Sequence, residues 1–296
     1  MRWVDAYLQY LRYEKNYSAH TVVAYASDLN QFSAYVLDVY RIDQPERVEA
    51  DHIRFWVYSL FEENVSKRSV QRKLSTLKSF WRYLLRKQLV QKNPLQSIHA
   101  PKTNKPLPVF LKKEEMDRLQ TIAQQEEEET FSVVRDRLII ELFYQLGLRL
   151  SELLALRMAD VDLYSSTVKV TGKRNKQRLL PFGRALHDQL ESYIGMRQLQ
   201  VASQQAYLLV LDSGKPLYAT WVYRMVRNRL SQVSTMTKRS PHVLRHTFAT
   251  LLLNEGAELN AVKDLLGHAS LSATEVYTHT TFEEMKKVYK QAHPRA

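Results

Sequence analysis

Between Asn93 and Pro108 the chain carries prolines at 94, 101, 106 and 108 among few apolar residues, and no continuous helix or central strand tolerates that spacing. The stretch therefore divides the polypeptide. With 296 residues, the chain is long enough to bury a core on each side of the break. The expected organisation is a helical bundle over residues 1–100, a semi-extended basic linker over 101–109, and a larger domain over 110–296.

Apolar spacing on the N-terminal side predicts four amphipathic helices. Trp3, Tyr7 and Leu11 begin the first. Ser18 has the chemistry of an N-cap for the second, whose Val22, Tyr25, Leu29, Phe32, Val36 and Val39 share a face. The third starts at Asp51 with Ile53, Trp56 and Leu60 inward, and Asn64 with Ser66 marks its exit. The fourth turns Val70, Leu74, Leu77, Trp81 and Leu84 inward. Four helices with short connections make a small bundle, in which Trp56, Phe80 and Trp81 read as core rather than base-stacking platforms.

Beyond the linker, helices are expected from Lys112 to Gln124 and from Phe131 to Leu146. The second is apolar around most of its circumference and so belongs deep in a core. The acidic run Glu126 to Glu129 between them reads as solvated loop. Gly147 ends the apolar helix as a C′ glycine, and Ser151 is the expected cap of a short helix through Ala155. From Asp160 to Pro181 the period falls to two: Thr167–Thr171 alternates, Gly172 to Lys176 turns, and Arg178 to Leu180 resumes extended chain. Helices return at Arg184 to Gln200 and Thr220 to Val233. The fold class is mainly α with a small antiparallel sheet, in two domains.

A formal net charge of +12 points to polyanions, nucleic acid first and membrane surface second. The distribution strengthens this. No acidic residue falls between Glu63 and Glu114, from Leu163 to His187, or from Ser213 to Asn254. Three acid-free windows suit a groove that grips a duplex, a C-shaped clamp closing from two domains. Lys67, Arg68, Arg72, Lys73, Lys78, Arg174, Lys176 and Arg178 are its expected DNA contacts. The chain has no cysteine, which removes disulfides, thiolate nucleophiles and cysteine-ligated metals. No apolar run spans a bilayer and the first residues lack a signal-peptide core, so the expected location is cytoplasmic, with no membrane partner.

Polar residues with catalytic chemistry interrupt two apolar helical patterns between Pro241 and His279. His242 and Arg245 lie three apart near the start of one helix, where an anion is favoured. Leu265-Leu266-Gly267-His268 closes the next, and Tyr277-Thr278-His279 follows. A metal site is the main alternative, since His242 and His246 are four apart. No carboxylate completes the usual hydrolytic pattern, however, and Arg245 beside the ligands repels a cation while attracting a phosphate. Neither metal nor cofactor is expected. Arg149, in the bend after a buried helix, needs an anion to meet it; Glu152 and a ligand phosphate both qualify, and the residues alone leave the two open. Lys173 and Lys176 on the turn are either solvated or presented to a bound strand as an acid or phosphate contact.

Four of these segments, in this order, resemble the motifs of the tyrosine recombinases, the phage-integrase family, and within it the bacterial Xer chromosome-dimer resolution proteins. They are Gly147-Leu148-Arg149-Leu150-Ser151-Glu152, the Lys173 turn, Pro241 to Thr250 with its His-x-x-Arg core, and Leu265 through His279. Arg174 stands where the family often has glycine, and Gln177 where glutamate is frequent. The resemblance covers essentially the whole chain. It implies a SAM-like N-terminal bundle and a catalytic domain that cuts and rejoins DNA through a 3′-phosphotyrosyl intermediate. Tyr277 is then the nucleophile, Arg149 and Arg245 the phosphate clamps, Lys173 the acid, His242 and His268 supporting ligands, and Glu152 the residue that orients a cation. Implied partners are double-stranded DNA with a short inverted-repeat site, a homo- or hetero-tetramer on it, with or without a paralogous recombinase, and an activating DNA translocase. The implied role is resolving chromosome dimers at a dif-like site before cell division, and the implied C-terminal helix docks into a neighbouring protomer. The alternatives are an integrase or transposase of a mobile element, a type IB topoisomerase-like nickase and a catalytically silent DNA-binding protein.

Overall fold

The structure, a computed structural model, describes residues 2–102, 109–124, 128–172, 175–200, 206–267, 289 and 291–293. It divides into two compact units, Met1–Pro106 and Leu107–Ala296. Most of the proline-rich stretch, from 103 to 108, lies outside the described residues.

The first unit contains α1 (Arg2–Gln9), α2 (Ala19–Tyr40), α3 (Ala50–Glu62) and α4 (Lys67–Arg86), with one π-helical turn over Tyr10–Glu14 continuing α1. Ser18 and Ser66 cap α2 and α4, each hydroxyl accepting a backbone N–H at 3.3 Å from Thr21 and Ser69. Phe32 meets Trp56 and Trp81 edge-on, with centroids 4.9 and 5.8 Å apart, and all three rings are buried. The inward stripe of α2 ends differently from expectation. Val39 is 54% exposed, and Tyr40 packs against the core instead. After Val36 a step of four residues keeps the core-facing side, whereas a step of three drifts off it.

The basic face of α4 also departs from expectation. Asp28 of α2 is fully buried and accepts from Thr76 at 3.0 Å, from Lys73 at 3.1 Å and from Arg72. Lys73 is 8% exposed and spends a further donor on Gln31 at 2.5 Å. This corrects its assignment as a DNA contact, because a buried carboxylate needs a compensating cation and Lys73 supplies it. Arg72 is only partly committed, its side chain remaining 47% exposed beside Asp28. Lys78 is half-buried and donates to the Ile98 carbonyl at 3.1 Å, while Lys67 and Arg68 are exposed.

The second unit is built round α6 (Phe131–Leu146), which starts at the Thr130 cap and packs against α8 (Arg184–Gln200) and α10 (Pro241–Asn254). α5 (Lys113–Gln124), α7 (Leu150–Ala155), α9 (Ala219–Ser231) and α11 (Leu259–Leu266) also belong to it. The antiparallel sheet has the order β1 (Val161–Asp162), β2 (Thr167–Thr171), β3 (Gln177–Pro181), with Val168 opposite Leu180 and Val170 opposite Arg178. The segment entering α5 is tied to α10 by Thr247, whose hydroxyl accepts from the Leu111 N–H and donates to the Val243 carbonyl, both at 2.9 Å.

Most of the tail expected to dock on a neighbour lies outside the described residues. Its described residues Tyr289, Ala292 and His293 are buried within their own unit, with His293 stacked on Tyr289 and its ring 5.8 Å from Phe248. No helix among the described residues is long and apolar enough to cross a membrane.

Candidate active site

α11 ends at Gly267, which takes the left-handed conformation (φ 61, ψ 45) that closes a helix without steric penalty only for glycine. The last carbonyls of a helix have no partner within it, and the negative end of its dipole lies there. In this chain three consecutive carbonyls at that end each accept from a different arginine. Leu265 accepts from Arg178 Nε at 2.9 Å, Leu266 from Arg245 Nη2 at 2.6 Å, and Gly267 from Arg149 Nη2 at 3.0 Å. The three arginines come from β3, from the second turn of α10 and from the residue preceding α7, so the end of α11 assembles them.

Glu152 is the carboxylate among them. It sits in the first turn of α7, where it accepts from the Arg149 backbone N–H at 2.9 Å and from Arg149 Nη1 at 2.7 Å. Arg178 grips it as a two-pronged fork, Nη1 on Oε1 and Nη2 on Oε2, both at 2.9 Å. Arg245 Nη1 lies 3.9 Å from the same carboxylate and donates to the Gly147 carbonyl, at the C-terminal end of α6. The N-cap of α7 is therefore Arg149, not Ser151 as expected. Glu152, two residues into that helix, returns to the Arg149 backbone, and a cap depends on where the chain turns rather than on the nearest serine.

Burial alone would raise the Glu152 carboxyl, but the Arg178 fork and the Arg149 donors outweigh it and pull the pKa from 4.5 to about 2. Because the folded pKa lies below the unfolded one, this contribution to stability is complete above about pH 4.5 and is lost as pH falls through about 2. Between pH 5 and pH 2, the stability advantage of the wild type over Glu152→Gln should shrink by roughly 3 kcal/mol. Urea unfolding of both proteins across that range measures it, and a constant difference contradicts the assignment. For Arg245, burial first and then the Arg149 charge lower the pKa to about 10, which leaves it protonated at neutral pH.

Two glycines let the backbone approach this cluster. A Cβ on Gly267 would lie 3.0 Å from Arg178 Nη1, and one on Gly172 would lie 3.3 Å from Glu152 Oε1. Gly172 closes β2, its N–H donating to the Lys176 carbonyl at 2.7 Å, so the base of the basic turn rests on the Glu152–Arg178 pair.

Among the residues singled out in the sequence, Arg149, Glu152 and Arg245 converge here. His242 is exposed in the first turn of α10. Lys176 is exposed, while Lys173, Arg174, His268 and Tyr277 lie outside the described residues. Arg178 is corrected: it is 5% exposed, with its donors committed to Glu152 and Leu265, and is not a surface contact for DNA. The signal was available, since alternation along β3 puts Arg178 on the same face as buried Leu180, opposite exposed Leu179. Among the described residues one grouping has three possible metal ligands, His187, Asp188 and Glu191 on α8; Arg184 already pairs with Asp188 at 2.9 Å, and neither His242 nor His246 takes part.

Three guanidiniums around one carboxylate leave two positive charges in excess, fixed by backbone carbonyls before any ligand arrives. A helical unit with that excess of fixed positive charge has what an enzyme needs to hold a phosphoryl group while its ester bonds change. Comparison with known proteins agrees. The family model described as "Phage integrase family" matches residues 109–284, and "Phage integrase, N-terminal SAM-like domain" matches residues 4–88. The chain is 38% identical over 319 residues to Tyrosine recombinase XerC of Chlorobaculum parvum, covering 100% of this chain and 95% of that protein. It is 40% identical over 301 residues to Tyrosine recombinase XerC of Halalkalibacterium halodurans, covering 100% and 98%. Its fold is similar to that of the XerH site-specific recombinase bound to a palindromic difH substrate, with a TM-score of 0.70 at 23% identity over 92% of this chain and 80% of that one. The chain belongs to the phage integrase family, the tyrosine-type site-specific recombinases.

Proposed function

We propose that this chain exchanges DNA strands at a short inverted-repeat site of the dif type and thereby resolves chromosome dimers before cell division. It acts as a homo- or hetero-tetramer on two duplexes, with Tyr277 as nucleophile. The observation that carries the chemistry is the arginine cluster, in which Arg149 and Arg245 are held on helix-end carbonyls with positive charge to spare. The dif-type site is drawn from the XerH recombinase bound to its difH substrate, and the dimer-resolution role from the Xer resemblance of the sequence.

The tyrosine hydroxyl attacks the scissile phosphorus; the tyrosyl O–P bond forms, the P–O5′ bond breaks, and the phenolic proton passes to solvent water. With an ordinary pKa near 10, the phenol needs nearby cations to become a nucleophile at neutral pH. Charge builds on the non-bridging oxygens in the pentavalent state, where two fixed guanidiniums bind it best. His242 and His268 are assigned as further donors to those oxygens. The departing 5′ oxygen takes a proton from Lys173, which follows Gly172 directly in sequence. The 3′-phosphotyrosyl ester retains the energy of the broken bond, so a 5′ hydroxyl of the partner strand can reverse the step without ATP.

A nicked duplex that loses its 5′ fragment after cleavage traps the covalent intermediate. The expected result is a stable protein–DNA adduct from wild type and none from Tyr277→Phe, with target binding retained; an adduct that persists in Tyr277→Phe overturns the nucleophile. Exchange between two short inverted-repeat sites supports the resolution role. Integration into unrelated DNA points to a mobile-element integrase, relaxation without exchange to a topoisomerase-like nickase, and binding without any adduct to a silent DNA-binding protein.

A further inference from the structure

Arg178 has no place in the reaction as drawn, yet it is the most deeply committed cation of the cluster. Its Nε holds the Leu265 carbonyl, its two terminal nitrogens hold both Glu152 oxygens, and both side chains of that pair are almost wholly buried. Arg149 touches Glu152 through a single side-chain nitrogen and keeps its side chain 30% exposed, and Arg245 stands 3.9 Å away. Glycines wall the pair on two sides, at Gly172 and Gly267, where any Cβ presses on it.

We infer that Arg178 is a positioning residue that neutralises Glu152, so that Glu152 can orient Arg149 without consuming the charge Arg149 and Arg245 present to the phosphate. The inference rests on the reading of those two arginines as the phosphate clamp. A carboxylate beside a phosphate site is otherwise a liability, since it repels the anion and discharges a clamp arginine. Bidentate pairing with a third, dedicated arginine removes both problems. Glu152 keeps its geometric task through the Arg149 backbone N–H and Nη1, and the net charge of the cluster stays at two positive rather than one. Arg178 also crosses from β3 to the end of α11, so the hairpin and the helix end share one anchor.

The test is the first-order rate of covalent adduct formation at saturating protein on the nicked duplex, for Arg178→Gln, Arg178→Lys, the double variant Glu152→Gln/Arg178→Gln, and Arg149→Ala. With Arg178→Gln the lone carboxylate captures Arg149, and the rate is expected to fall on the order of 100-fold. The double variant removes one charge of each sign, leaves the excess at two, and should recover at least about tenfold over the single variant. Arg178→Lys keeps the charge without the fork and should stay within about tenfold of wild type. A merely structural brace predicts the opposite order, with the double variant no faster than Arg178→Gln and lysine no better than glutamine; either result overturns the inference. Should Arg178→Gln fail to fold, as judged by thermal melting and target binding, the double and lysine variants decide: both within about tenfold of wild type supports it, and both slower than that overturns it. Arg149→Ala separates the two layers. If Arg149→Ala forms adduct at the wild-type rate, the clamp reading fails; if it is inactive while Arg178→Gln keeps wild-type activity, the clamp stands and only the role of Arg178 is lost.

Discussion

Arg245→Ala is expected to slow adduct formation by on the order of 1,000-fold while leaving target binding within reach of wild type at low salt. The size follows from where the guanidinium sits. It spans the carbonyls of Gly147 and Leu266, one at the end of α6 and the other at the end of α11, so its position is set by two helices before DNA arrives. Preorganised charge of this kind acts fully in the transition state, whereas a flexible surface lysine spends part of its energy on being ordered. Arg245→Lys should recover little, because one ammonium cannot reach both carbonyls and two phosphate oxygens together. Single-turnover adduct formation at saturating protein reads the chemical step and a gel-shift titration reads binding; a cleavage rate within about tenfold of wild type would remove Arg245 from the clamp.

Gly147→Ala carries the second large effect, on stability. Gly147 has φ 57, and an added Cβ would stand 2.4 Å from Cδ1 of the buried Phe248 and 3.1 Å from Leu266. A non-glycine residue in the left-handed region costs about 1–3 kcal/mol, and overpacking a close-packed core costs a similar amount. The loss is thus about 2–6 kcal/mol, out of a total that is seldom above about 15 kcal/mol. Moving Phe248 also moves α10, and shifting the Gly147 carbonyl moves an acceptor of Arg245, so activity should fall even at temperatures where the variant stays folded. Gly195→Ala is the matched control. Gly195 lies inside α8 with nothing within 4 Å of the added Cβ, and the change should stabilise by about 0.5–1 kcal/mol. Urea unfolding of the two variants measures both; equal stabilities would refute the steric account of Gly147.

The helices were the most legible part of the chain. Phe131–Leu146 and Arg184–Gln200 begin and end at the expected residues: apolar period is a local signal in both, and the first is also bounded by a capping threonine and a C′ glycine. The β-hairpin was legible for the same reason, its alternation running through Thr167–Thr171. The two-residue strand β1 was not anticipated, since two residues hold no period and Val161 and Asp162 become a strand only by pairing with Val168 and Thr167. Arg149, Glu152 and Arg245 were picked out of the sequence, but whether Arg149 met a carboxylate or a free anion stayed open. The folded chain answers that it meets Glu152 and the end of α11 together.

Basic residues were the least legible. Lys73 and Arg178 read as part of a DNA-facing surface, and both are buried against carboxylates on other segments. Local pattern settles where a helix runs and which side of it is apolar, because those depend on neighbours a turn or two away. What a charge is for depends on its partner, and here the partners are 26 residues apart for Arg178 and Glu152, 98 for Arg245 and Gly147, and 118 for Arg149 and Gly267. Such pairs form only once the proline-bounded second unit has closed its core and brought the ends of α6 and α11 together. A buried cation must then find an anion or a carbonyl there, and no periodicity along the chain says which.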